Sequence, residues 1–151
     1  MKFKSVKSFL KRKVFIIAEI GINHDGSESK CKKLIKIAKW AKADAAKIQI
    51  VNPIDSYQRG TKSFREFSKR QLSYKQLLRL KKFAKKENII FFATPGDLKS
   101  LKTIVRLNFS IIKISSGLMT NLPLLTECFR TRLPVIISNG LGNIKDHEDL
   151  R

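Results

Sequence analysis

From residue 14 onward, short apolar runs alternate with amphipathic stretches. The apolar runs are VFIIAE (14–19), AAKIQIV (45–51), IIFFAT (89–94), SIIKIS (110–115) and PVIIS (134–138). Each has the length and the β-branched or aromatic content of a strand. Between the first two, Leu34, Ala38 and Ala41 recur at helical spacing behind Ser27 or Asp25 as N-cap. Ser73 and Gln76 form a capping-box pattern ahead of a helix presenting Tyr74, Leu77, Leu80 and Ala84. Asp97 can cap a helix carrying Leu98, Leu101 and Val105, and Thr120 or Asn121 can open the next, with Pro123 early enough to be tolerated. A further helix begins near Asn143. The segment from Pro53 to about Leu72 shows neither period and reads as a long irregular loop. Five strands separated by four to five helices predict an α/β fold around a parallel sheet.

Two architectures share that alternation, a doubly wound open sheet and part of an eight-stranded barrel. A doubly wound dinucleotide site wants GxGxxG after the first strand, and the turn GINHDG (21–26) lacks the middle glycine. The strand ends favour the barrel. Alternation puts Ile48 and Ile50 on one face of the second strand and Lys47 and Gln49 on the other; Lys113 and Ser115 repeat this on the fourth. A parallel strand covered on both faces is ordinarily apolar on both. The two lysines therefore either pair with buried carboxylates or hold a multiply charged anion in a pocket at the C-terminal strand ends. Other strand ends add hydroxyls at the same place: Thr94, Ser115 and Ser116, and Ser138. Glu19 ends the first strand just before the polar turn and would look out of the barrel mouth.

The chain has 151 residues, 42% of them hydrophobic, which suits one domain with a real core and excludes a disordered chain. Its net charge of +20 invites a nucleic-acid reading. Lysines and arginines are spread over nearly every helical segment, however, so a solvated basic surface is the simpler explanation and nucleic acid is not the expected partner. Only residues 1–13, with Lys2, Lys4, Lys7, Lys11, Arg12 and Lys13, concentrate charge enough to form a basic extension ahead of the domain at 14–151. No run is long enough to span a membrane, and the start MKFKSVKSFLKRK has no signal-peptide apolar region, so a cytoplasmic protein is expected. Cys31 and Cys128 lack metal-site spacing and read as reduced packing residues. With only His147 besides it, His24 reads as a turn histidine making local hydrogen bonds, not a metal ligand.

The stretches FIIAEIGINHDG, ADAAKIQ, FFATPGD, IIKISSGLMTNLPLL and LPVIISNG, spread over residues 14 to 142, together resemble the sialic acid synthase family, including the pseudaminic and legionaminic acid synthases. The resemblance implies a (β/α)8 TIM barrel, here incomplete, residues 14–151 being its N-terminal portion, and a homodimer at full length. It implies condensation of phosphoenolpyruvate with N-acetylmannosamine or a related amino sugar, with release of phosphate. By position, Glu19 resembles the catalytic carboxylate at the sugar end of the site, and Lys47, Gln49, Thr94, Lys113, Ser116 and Ser138 resemble phosphoenolpyruvate contacts. A divalent metal, Mn or Mg, is implied as well. Its family ligands belong to the second half of the barrel, so the chain is expected to be a truncated form, inactive alone. Three departures stand out: Leu118 where the family carries Glu or Asp, Gly96 where TPFD has become TPGD, and Asn139 where STG has become SNG. The alternatives are a related aldolase-like barrel acting on another sugar and a noncatalytic basic protein that binds nucleic acid.

Overall fold

A computed structural model describes residues 14–141. The elements run β1 (Ile17–Gly21), α1 (Glu28–Trp40), β2 (Ala45–Ile50), α2 (Pro53–Ser56), α3 (Lys62–Lys69), α4 (Tyr74–Lys86), β3 (Ile90–Pro95), α5 (Leu98–Arg106), β4 (Ile112–Ile114), a 3-10 turn (Ser116–Leu118), α6 (Leu122–Arg130) and β5 (Val135–Ile137). All neighbouring strands are parallel, in the spatial order β1-β2-β3-β4-β5. A doubly wound sheet needs a point where that order reverses. The strictly sequential order excludes it and is that of a (β/α) barrel wall. Crossovers of one hand place the helices on one face of the sheet.

The core fills the space between that face and the helices. Ile35, Leu77, Leu80, Ile104 and Leu124 from the helices meet Ile48, Ala93, Ile112 and Ile114 from the strands, all essentially inaccessible to solvent. Phe91 and Phe109 lock edge to face at 5.7 Å between ring centres. Cys31 and Cys128 are buried free thiols, and burial pushes them up to about 12 and about 11, so they pack as small apolar groups.

The helix starts follow local chemistry. Ser27, not Asp25, caps α1, its Oγ accepting from the Lys30 N–H at 3.2 Å. The Ser73–Gln76 capping box is present, and Asn121, not Thr120, caps α6. The helix ends share a device that the sequence reading lacks. Lys42, Asn88, Asn108 and Arg132 each take left-handed φ of 53° to 60° just past a helix. The next N–H reaches back five residues in three of these turns, Ala43 to Ala38, Ile89 to Ala84 and Phe109 to Ile104.

Three expectations need correction. The segment after Pro53 is not a long irregular loop, since it folds into α2 and α3. That brings the α-helices of the described residues to six, above the predicted four to five. The strands are also shifted or shorter: β1 runs on to Gly21, while β4 and β5 keep three residues each. The basic residues 2–13 and the helix predicted near Asn143 lie outside the described residues.

Candidate functional site at the C-terminal strand ends

The face of the sheet turned away from the helices carries the polar residues of the strands. On β2, the register sets Lys47 opposite Glu19 of β1 and Phe92 of β3, and Gln49 opposite Thr94. Lys47 is 2% exposed, so its ammonium needs partners. It has two, Glu19 Oε1 at 2.7 Å and Thr94 Oγ1 at 3.0 Å. The pairing in β1 is irregular between Glu19 and Gly21, and Gly21 has a φ of +58°. A bulge of this kind redirects the side chain beside it, and here the Glu19 side chain is 58% exposed with only its tip on Lys47.

One strand further, Lys113 donates to Ser138 Oγ and to the carbonyl of Ile114. Burial pulls its pKa down from the ordinary 10.5, the nearby Lys47 charge pulls it further, and Glu19 opposes both. Two lysines from different strands thus share one electrostatic environment. Ser116 stands in the 3-10 turn after β4, near Gly140: a Cβ built there would lie 3.9 Å from Ser116 Oγ. Gln49 lies between two clefts. One, of about 570 Å³, runs along Ile50, Arg70, Gln71 and Ser73; the other, of about 850 Å³, is bounded by Thr94, Ser115, Leu118, Tyr57 and Phe67.

The predicted site residues therefore fall into two hydrogen-bonded groups, Glu19–Lys47–Thr94 and Lys113–Ser138, with Gln49 and Ser116 beside them. The buried-carboxylate alternative is met only in part. Lys47 does meet a carboxylate, but an exposed one, and its other partner is a hydroxyl. His24 is a buried turn histidine whose Nδ1 accepts from the Gly26 N–H at 3.1 Å. Its pKa is lowered, chiefly by burial, and its Nε2 has no hydrogen-bond partner among the described residues. No group of three or more His, Cys, Asp or Glu among the described residues could hold a metal ion. Lys47 occupies the tip of Glu19.

Sequence reasoning missed the wall of the larger cleft. Tyr57 stacks on Phe67 with 4.9 Å between ring centres, and both sit in the segment taken for loop. Gly26 packs so closely on the end of α3 that a Cβ there would meet the Lys69 carbonyl oxygen at 2.6 Å, and Asp25 pairs with Arg70 at 3.1 Å. The polar turn after β1 thereby anchors α3.

Residues 34–150 match the NeuB family over most of the chain. The chain belongs to the NeuB family. It is 37% identical over 152 aligned positions to the N,N'-diacetyllegionaminic acid synthase of Campylobacter jejuni, covering 91% of this chain and 46% of that protein. With human N-acetylneuraminate-9-phosphate synthase it shares 31% identity, over 86% of this chain and 40% of the relative. The solved N-acetylneuraminic acid synthetase of Leptospira borgpetersenii superposes with a TM-score of 0.88 at 33% identity, over 92% of this chain and 49% of that one. This NeuB-family chain thus spans less than half of each of these relatives. As a likeness of fold alone, phospho-2-dehydro-3-deoxyheptonate aldolase of Thermotoga maritima gives a TM-score of 0.65 at 18% identity. Among the described residues no helix is long and apolar enough to cross a membrane.

Proposed function

We propose that this chain supplies the phosphoenolpyruvate-holding part of a nonulosonic acid synthase, an enzyme that joins phosphoenolpyruvate to N-acetylmannosamine or a related amino sugar and releases phosphate. The observation that carries the reading is the pair Lys47 and Lys113, two ammonium groups on one face at the C-terminal strand ends, each bonded to a rotatable hydroxyl. In the absence of substrate those hydroxyls accept from the lysines. A trianion entering between the strands would replace them as acceptor, and Thr94 and Ser138 could then turn to donate. Charges and dipoles fixed in this way need little rearrangement as phosphate departs.

In the reaction so assigned, C3 of phosphoenolpyruvate attacks the aldehyde carbon of the open-chain sugar, water adds at C2, and phosphate leaves with cleavage of its C–O bond. Lys47 and Lys113 neutralise the substrate's charge, while Gln49 and Ser116 fix its orientation. Glu19, released from Lys47 when the anion arrives, faces the sugar. Leu118 leaves one family carboxylate out of the cleft. A divalent ion would take its ligands from outside the described residues. The choice of sugar, homodimeric assembly and a cytoplasmic site of action belong to the same proposal.

Calorimetric titration of the folded 151-residue chain with phosphoenolpyruvate tests it. Binding without synthase turnover is the expected result; no binding by a chain shown to be folded would overturn the reading. Turnover by these residues alone would overturn the expectation that they are inactive in isolation.

A further inference from the structure

We infer that Asp97 is a positioning residue for the substrate cleft, acting through the turn that follows β2; the inference rests on the reading that this cleft binds phosphoenolpyruvate. A helix N-cap needs one acceptor. Asp97 provides it with Oδ1, which takes the Ser100 N–H at 2.8 Å. Its Oδ2 accepts three further hydrogen bonds, from the Asn52 N–H at 2.6 Å, the Ser100 hydroxyl at 2.8 Å and the Ser56 hydroxyl at 3.2 Å. Two of those donors stand at the two ends of α2, Asn52 as its N-cap and Ser56 as its last residue, more than forty positions away in the chain. Asp97 is 8% exposed, so this is an interior clamp and not a surface contact.

What the clamp holds is the cleft. Asn52 follows Gln49 by three residues, and Ser56 immediately precedes Tyr57, whose ring stacks on Phe67 of α3. Gly96, beside Asp97, leaves room for the Val51 side chain, since a Cβ there would come within 2.6 Å of Val51 Cγ2. The Gly96 N–H also donates to the Ile50 carbonyl at 2.8 Å. Backbone ladder, packing and carboxylate together fix residues 50–57 against the end of β3. Asp97 touches none of the proposed substrate contacts, yet it sets where the Tyr57–Phe67 wall stands relative to Gln49 and Thr94, which the β2–β3 register holds opposite each other.

The two duties of Asp97 can be separated. Serine caps a helix as well as aspartate does, but its single, shorter oxygen cannot also reach Asn52 and Ser56. In the full chain, Asp97→Ser is therefore expected to keep α5 protected from amide hydrogen exchange. Exchange at residues 52–57 should accelerate by about tenfold or more, and phosphoenolpyruvate affinity should fall about tenfold through misplacement of the Tyr57–Phe67 wall. Ser56→Ala, which leaves the cap intact and provides a second variant if the first does not fold, should move both readouts in the same direction by a smaller factor. Wild-type affinity in a variant whose 52–57 turn has loosened would overturn the inference, and so would unchanged exchange at 52–57 in Asp97→Ser. A wild-type chain that fails to bind phosphoenolpyruvate would instead overturn the functional reading, and the exchange data would still decide whether Asp97 holds the turn.

Discussion

Lysines gather at both ends of the sheet, but their partners differ. At the N-terminal end, Lys39 donates to the Asn88 carbonyl at 3.0 Å, and Lys81 to the carbonyls of Leu107 and Asn108 at 2.6 Å each. These carbonyls close the ends of α4 and α5, where the helix dipole favours a cation. A carbonyl can only accept, so an anion arriving there would find those ammonium groups already committed to structure. At the C-terminal end, Lys47 meets the Glu19 carboxylate and the Thr94 hydroxyl, and Lys113 the Ile114 carbonyl and the Ser138 hydroxyl; each thus has one hydroxyl partner, which can reverse from acceptor to donor. One side-chain type thus staples loops at one end and, in the function proposed above, forms a convertible anion site at the other. The partner's chemistry makes the difference, not the net charge of +20.

The largest effect expected from this contrast is on binding. Replacing both Lys47 and Lys113 by alanine removes two charge-assisted contacts of roughly 1.5–3 kcal/mol each, so phosphoenolpyruvate affinity should fall more than about 100-fold by calorimetry. A double variant that still binds as the wild type does would erase the distinction between the two ends. The matching change at the other end, Lys39→Met with Lys81→Met, should leave affinity untouched and lower the stability of the fold by about 1–2 kcal/mol in a denaturant titration. Loss of affinity there would show that both ends serve binding.

A smaller effect concerns pH. Lys113 has a pKa depressed below the ordinary lysine value of 10.5, so the folded chain sheds this proton at lower pH than the unfolded one. Without ligand, stability should therefore rise as pH climbs through the lowered pKa towards 10.5, because the unfolded state then binds more protons. Phosphoenolpyruvate affinity should move the opposite way, weakening over that same interval as the ammonium is lost. Lys113→Arg, which stays charged, should flatten the affinity profile. The smallest expected change is that of Ser138→Ala, which removes one reversible hydroxyl and should weaken binding by about threefold to tenfold.

Much of this arrangement was legible in the sequence because it follows local rules. The period-2 alternation of AAKIQIV and SIIKIS set Lys47 and Lys113 apart from the core face, and Ser27, Ser73, Asp97 and Asn121 marked helix starts. What escaped depends on contacts between distant residues. Nothing local says that Glu19 meets Lys47, because that contact is created by the β1–β2 register. The helices α2 and α3 are short and rich in polar residues, with no apolar stripe long enough to read. They are ordered by the Asp97 clamp, the Tyr57–Phe67 stack and the close approach of Gly26. Asp97 itself was seen, but only as a cap, since sequence spacing reports one hydrogen bond and not the other three. The left-handed turns at Lys42 and Arg132 use residues that carry no turn signal.

The sequential order of the strands also bears on how the molecule assembles. Each strand pairs with the one made just before it, so no ladder has to wait for a distant segment of chain. A chain emerging from the ribosome offers its strands in the order in which the sheet needs them. The six-pair register between β2 and β3 is the longest of the set, and its length, not closeness in sequence, makes those strands the seed. Pulse-labelled hydrogen exchange should find them protected before β4 and β5, and the reverse order would contradict this picture. The sheet can then grow outward from that seed one βα unit at a time, and its two lysines meet only once the fourth strand has docked.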